Sequence, residues 1–343
     1  YYEGAMGEKD MDYLKDRVTI YEVAKVSGVS LATVSRVINK QGNVTEATRL
    51  KVEATIQKLG YKPSGLARAL ATNVTTNIGI VIPSANYVYI SNMLNGITEV
   101  AKEKGFVLTL FVTSYSRSDA IAMVEKVITS HVDGVIIFDD QLDKEDIEKI
   151  NSYSVPTIVI NNKITGNRIG CINFGYEHAV KRMLKARYEK NDMKPAVFLH
   201  VHNAGRLLAR IEKAFIDFHN EIGVPYRIFN VDDSSERTYL DFMEYFKKHR
   251  KGFFIAYRDS IGAAIVNAAT DSGLKVPDDV EVISIIGTKY AEIIRPTLSS
   301  FYINMQEVGK RAMYMLIDLS NGELNEKAYK FESTYTARNS TKE

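Results

Sequence analysis

The chain has 343 residues, 45% of them apolar and 25% charged, and a formal net charge of +2 at pH 7. That length suits two or three domains, and so slight a charge excludes a polycation that coats nucleic acid along its whole length. The single cysteine, Cys171, rules out an intrachain disulfide, and no apolar run approaches the roughly 18 residues that a membrane span needs, so the chain reads as cytoplasmic.

Residues 1–17 read as a tail or an appended remnant, with Glu3, Glu8, Asp10 and Asp12 and no apolar signal core. A first short helix is expected after Thr19, a capping residue, with Ile20, Val23, Ala24 and Val26 as its packing positions. Gly28 suits a helix stop. Ser30 can cap a second helix from about Leu31 to Asn39. On it Val34 and Val37 point inward with Ile38 beside them, and Leu31, Ala32, Ser35, Arg36 and Asn39 fall on the other side. A third helix, roughly Glu46 to Leu59, closes a small core through Val52, Ile56 and Leu59. This division fits a helix-turn-helix, with one face packing the helices and the other reading DNA. The pattern alone is equally that of an ordinary amphipathic helix pair.

The motifs T-I-Y-E-V-A (19–24), S-G-V-S (27–30), T-V-S-R-V-I-N (33–39), N-V (43–44), T-R (48–49) and G-Y-K-P (60–63) resemble the headpiece of the lac repressor/galactose repressor family of bacterial transcription regulators. The resemblance continues, more loosely, to about residue 340. It implies that Leu31, Ala32 and Arg36 read bases. Arg36 would donate a bidentate pair to a guanine, and Leu31 and Ala32 would meet thymine methyls. It places Thr19, Tyr21, Thr33, Ser35, Asn39, Asn43 and Thr45 near phosphates, which position a protein without specifying sequence. It also makes 64–71 a hinge helix that pairs with its twin in the minor groove. There Leu70 would wedge between base pairs, and Ala67 would let the two helices approach.

From Asn77 the pattern changes to strands alternating with helices. Strands are expected at 77–83, 106–112, 134–138, 156–160, 196–201, 227–231, 252–257 and 280–286, with helices between them. This order implies parallel sheets with helices on both faces. The resulting fold class is a small all-α helix-turn-helix headpiece plus a two-lobed α/β core like a periplasmic binding protein. The expected boundaries are 18–63 for the headpiece, 64–77 for the hinge and linker, and 78–340 for the core. Within the core, lobe 1 takes about 78–161 and 290–322, and lobe 2 about 162–289 and 323–340. After Arg295-Pro296 the chain is expected to return to lobe 1 with strand 298–303 and helix 304–320.

A cleft between two such lobes is where an effector binds. By the resemblance, the polar residues that hold sugars or purines in relatives are replaced here: Gly175 and Ile286 stand for aspartates and Ile211 for an arginine, with Arg210 one residue off. Unmatched hydroxyls cost about 1–3 kcal/mol each, so an ordinary sugar fits poorly. Asn86, Tyr89, Arg210, Arg258 and Asp259 are the candidate cleft residues.

Enzyme readings are weak. The six histidines form no metal-ligand spacing with cysteine or acidic residues, and His200 and His202 read as polar residues at a strand end. No phosphate-cradling loop or nucleophile elbow is present. Neither a catalytic residue nor a metal site nor a cofactor is expected. The expected function is therefore a regulator, most simply a repressor, that binds a near-palindromic double-stranded operator as a homodimer. A small-molecule effector or, as the resemblance to the catabolite-control branch implies, a phosphocarrier-protein corepressor would set its activity. The alternative is a two-lobed solute-binding receptor with no role in gene regulation.

Overall fold

The computed structural model describes residues 18–40, 42, 44–62, 76–83, 87–113, 117–138, 142–190, 195–202 and 205–342. Two compact units result, divided between Thr75 and Thr76.

The first unit holds α1 (Ile20–Ser27), α2 (Leu31–Ile38) and α3 (Glu46–Leu59). Each begins at a hydroxyl cap. The Thr19 amide donates to Glu22 Oε2 at 2.6 Å and the Glu22 amide to Thr19 Oγ1 at 3.4 Å, a reciprocal capping box. Ser30 and Thr45 accept from the Thr33 and Thr48 amides. Gly28 ends α1 at φ 67°, in the left-handed region that favours glycine. Val23, Val34, Val37, Val52 and Tyr61 form the buried centre. Val26 departs from expectation and is 52% exposed. The inward line of α1 runs from Val23 to Ser27, and a position three past Val23 falls to one side of it. Tyr61 was not expected in the core. The chain turns at Gly60, the Tyr61 amide bonds Ile56 O at 3.1 Å, and the ring falls inward.

The second unit contains two six-stranded sheets. The first sheet is built from β1 (Asn77–Ile82), β2 (Val107–Val112), β3 (Gly134–Phe138), β4 (Thr157–Ile160) and β5 (Ile169–Phe174). Between its strands run α4 (Val88–Lys104), α5 (Arg117–Ile128) and α6 (Lys144–Ser152). After α7 (Tyr176–Glu189) the second sheet takes β6 (Ala196–Val201), β7 (Tyr226–Val231), β8 (Gly252–Arg258) and β9 (Val280–Ile286). These alternate with α8 (Arg206–Ile222), α9 (Ser235–Lys248) and α10 (Asp259–Asp271). There follow α11 (Tyr290–Ile293), β10 (Ser299–Tyr302), α12 (Met305–Asn321), β11 (Ala328–Phe331) and β12 (Thr334–Thr336). The strand orders are β11-β5-β4-β3-β1-β2 and β12-β10-β9-β8-β6-β7. All pairings are parallel except β10 with β12.

Sheet membership corrects the expected lobes. Strand 169–174 belongs to the first sheet, beside β4, although lobe 2 was expected from residue 162. Strand 299–302 belongs to the second sheet, with Ser299 opposite Ile283, and does not return to lobe 1. Of the strand and helix expected to return, only α12 does, packing on α4 so closely that a Cβ on Gly309 would sit 2.1 Å from Met93 O. The tail divides as well, β11 pairing with β5 and β12 with β10. Parallel strands buried on both faces are continuous apolar runs with no hairpin turn to announce a neighbour, so their pattern is silent on which sheet receives them. Among the described residues no helix is long and apolar enough to cross a membrane.

One buried group in α8 ties stability to pH. The His219 ring is fully buried, with Nδ1 2.8 Å from Phe215 O and Nε2 2.9 Å from the Tyr188 hydroxyl. The neutral ring satisfies both contacts, donating to the carbonyl and accepting from the phenol. Burial holds its pKa below the ordinary value. The unfolded chain therefore takes up the proton more readily, so this contribution is full above a pH of about 6.5 and is lost as pH falls. The urea midpoint should drop between pH 7.5 and 5.5, and His219→Gln should flatten part of that drop. An identical pH dependence in the variant would remove His219 as the cause.

Candidate nucleic-acid interface and ligand cleft

On α2 the residues expected to read bases stand in solvent. Leu31 is 37% exposed, Ala32 and Arg36 are exposed, and Val34 and Val37 bury the opposite face. No ion pair or hydrogen bond occupies the Arg36 guanidinium among the described residues. It is a planar fork of donors with nothing local to bind, one turn beyond Ala32. Tyr21 is 69% exposed on α1. The hydroxyls expected near phosphates lie mostly at helix starts. Thr19 and Thr45 cap α1 and α3, and Thr33 Oγ1 lies 2.8 Å from Ser30 Oγ. Further along α2, Ser35 Oγ accepts from Asn39 Nδ2 at 3.3 Å. These bonds fix the side chains in place and leave each hydroxyl further capacity. Residues 18–62 hold seven lysines and arginines against three acids, although the whole chain is near neutral. Asn43 and the hinge residues Ala67 and Leu70 lie outside the described residues.

In the second unit a cavity of about 140 Å³ lies between the lobes. Tyr87 and Tyr89, at the start of α4, wall it on the first-lobe side. Arg258, Asp259, Ile286 and Thr288 wall it on the other. The two tyrosine rings stack with centroids 5.5 Å apart. Arg258 is 7% exposed, lies 4.3 Å over the Tyr87 ring and pairs with Asp233. The Tyr87 hydroxyl donates to Asp233 Oδ2 at 3.2 Å. Neither Tyr87 nor Asp233 was anticipated; both are polar loop residues whose meeting only the folded chain reveals.

The other expected cleft residues differ in their surroundings. Tyr89 lines the cavity. Asp259 lines it too, but its carboxylate accepts from the Thr288 amide at 2.7 Å and hydroxyl at 2.6 Å. Burial raises the Asp259 pKa, and those Thr288 bonds oppose the rise. Arg210 does not line the cavity. Its Nε donates to Glu177 Oε1 at 2.9 Å, on α7, and Ile211 beside it is fully buried in the core. The space a side chain on Gly175 would take is filled by Glu332, whose Oε2 would lie 2.2 Å from a Cβ there. His200 at the end of β6 holds Glu212 at 2.6 Å through Nδ1. Asn86 lies outside the described residues. Among the described residues no group of three histidine, cysteine or acidic side chains is arranged to hold a metal.

Residues 19–64 match the profile of the bacterial regulatory proteins of the lacI family, and residues 192–341 that of the periplasmic binding protein-like domain. Catabolite control protein A of Priestia megaterium is 28% identical over 311 residues, covering 89% of this chain and 93% of that protein. The protein of the same name from Staphylococcus xylosus is 29% identical over 313 residues, with the same shares. Among solved structures, the lac repressor dimer bound to operator and the anti-inducer ONPF superposes with a TM-score of 0.80 at 22% identity, covering 95% of this chain and 99% of that one. A LacI-family regulator from Silicibacter pomeroyi gives 0.83 at 20% identity, covering 94% and 99%. These two likenesses concern the fold.

Proposed function

We propose that this chain, a DNA-binding transcriptional regulator of the lacI family, is a repressor that holds a near-palindromic operator as a homodimer. The observation that supports this most is the divided face of α2. Val34 and Val37 anchor the helix, while Leu31, Ala32 and Arg36, which has no partner among the described residues, are offered to a major groove. In this reading Arg36 donates both arms to a guanine, and Leu31 and Ala32 lie against thymine methyls. Thr19, Tyr21, Thr33, Ser35, Asn39, Asn43 and Thr45 hold the backbone, and Ala67 and Leu70 enter the minor groove.

A near-palindrome needs two headpieces, and two exposed apolar patches on the core favour a second copy as their cover. Leu110 and Val112 share one face of β2, the edge strand of the first sheet, each at 47% exposure, with Val107 at 60% on its other face. Ile293, 61% exposed, and Tyr290 lie on the second lobe. Apolar clusters of this kind on a soluble core are typical of protein contacts. The inter-lobe cleft would then set activity, because a ligand that prefers one lobe arrangement shifts the population toward it.

Sedimentation and nuclease footprinting on a bound duplex test this together. A dimer with two protected half-sites about one helical turn apart is expected. The double substitution Leu110→Asp/Val112→Asp should yield monomers with weakened operator binding. A wild-type monomer that protects one half-site would overturn the dimeric reading.

A further inference from the structure

Arg258 is a tightly seated charge in the cleft. Its side chain is 9% exposed, whereas that of its partner Asp233 is 35% exposed. Its Nε is buried without a hydrogen-bond partner among the described residues. Tyr87 from the opposite lobe covers the guanidinium at 4.3 Å and also bonds Asp233. One lobe therefore contributes the ring, and the other contributes the cation and its counter-ion. The remaining cavity, about 140 Å³, is smaller than the roughly 300–1,000 Å³ usual for small-molecule sites. Its walls suit an apolar body, with the stacked Tyr87 and Tyr89 rings on one side and Ile286 on the other. The acid that could receive sugar hydroxyls, Asp259, is engaged by Thr288.

We propose that this cleft binds a small organic anion, a carboxylate or a phosphate ester on a compact apolar body, whose acid group replaces Asp233 on Arg258. The inference rests on the regulator reading above and names the ligand class of its cleft. Asp233 is the group able to yield, since it can swing into water while Arg258 cannot leave its seat uncharged. Its departure takes with it the bond to the Tyr87 hydroxyl. Ligand binding thus exchanges an internal link between the lobes for a bridge through the ligand. A guanidinium can hold either acid by paired hydrogen bonds, so carboxylate and phosphate share this chemistry.

The test is calorimetric titration of the full chain with benzoate, phenyl phosphate and glucose, on wild type, Asp233→Asn and Asp233→Ser. Vacating the seat should tighten at least one anion by about tenfold or more, the weight of a charge-assisted bond. The anion that gains more identifies carboxylate or phosphate as the preferred head. Adding Arg258→Gln should abolish the gain. The proposal is overturned by no gain in either Asp233 variant, by a gain that survives loss of Arg258, or by glucose binding wild type more tightly than both anions. Operator binding by the unliganded wild type, measured on the same samples, reads the regulator function separately. Its failure would remove that function without altering what the titrations say of the cleft.

Discussion

Replacing Arg187 by methionine should lower the thermal unfolding midpoint by about 10 °C. Arg187 on α7 reaches Glu281 on β9 through two parallel bonds, Nη1 to Oε2 at 3.0 Å and Nη2 to Oε1 at 2.7 Å. The side chains are 3% and 0% exposed. The guanidinium lies 3.9 Å over the Phe253 ring, and the Lys342 amide also donates to Glu281 at 3.0 Å. One carboxylate thus ties α7, the second sheet and the end of the chain together. Removing the arginine leaves that carboxylate charged in a dry interior, at a cost of about 3–5 kcal/mol. In a unit of this size each kcal/mol shifts the midpoint by about 2–4 °C. Calorimetry of the pair Arg187→Met/Glu281→Met gives the control. Apolar residues of similar volume should restore most of the loss. A double variant as unstable as the single one would attribute the loss to packing instead of to a stranded charge.

Arg36→Ala should weaken binding to a selected operator by about 1–3 kcal/mol in each half-site, while leaving binding to random duplex nearly unchanged. The difference follows from what Arg36 lacks. Among the described residues no acid pairs with it, so its donors are available to a base edge, and Val34 and Val37 fix the helix that carries it. Phosphate contacts come from many residues and tolerate any sequence, so losing one weakens all duplexes alike. Anisotropy titrations against the selected operator and a scrambled duplex, at one salt concentration, separate the two. An equal loss on both would make Arg36 a phosphate ligand.

The headpiece is legible in the sequence because its signals are local. Thr19, Ser30 and Thr45 mark the helix starts, Gly28 and Gly60 mark the ends of α1 and α3, and an interval of three to four residues marks the buried face. Tyr61 escapes that logic because it follows the last helical turn, where no periodicity reaches. In the core the strands are legible and their sheets are not. β5 reads as an apolar run that either lobe could accept, β10 opens on two serines, and β11 and β12 are four and three residues long with polar neighbours. The cleft is least legible. Tyr87 and Asp233 are 146 residues apart and belong to different lobes. Glu332 takes the room beside Gly175 from the turn between β11 and β12, near the end of the chain. Such juxtapositions depend on crossovers between the sheets, which leave no periodic trace.

The most direct measurement is selection from a randomised duplex library by the full chain at fixed salt, followed by affinity titration of the enriched sequences. Enrichment of near-palindromes bound about a thousandfold or more above random duplex is the expected result. Equal affinity for enriched and random duplexes would contradict a headpiece that reads sequence through α2.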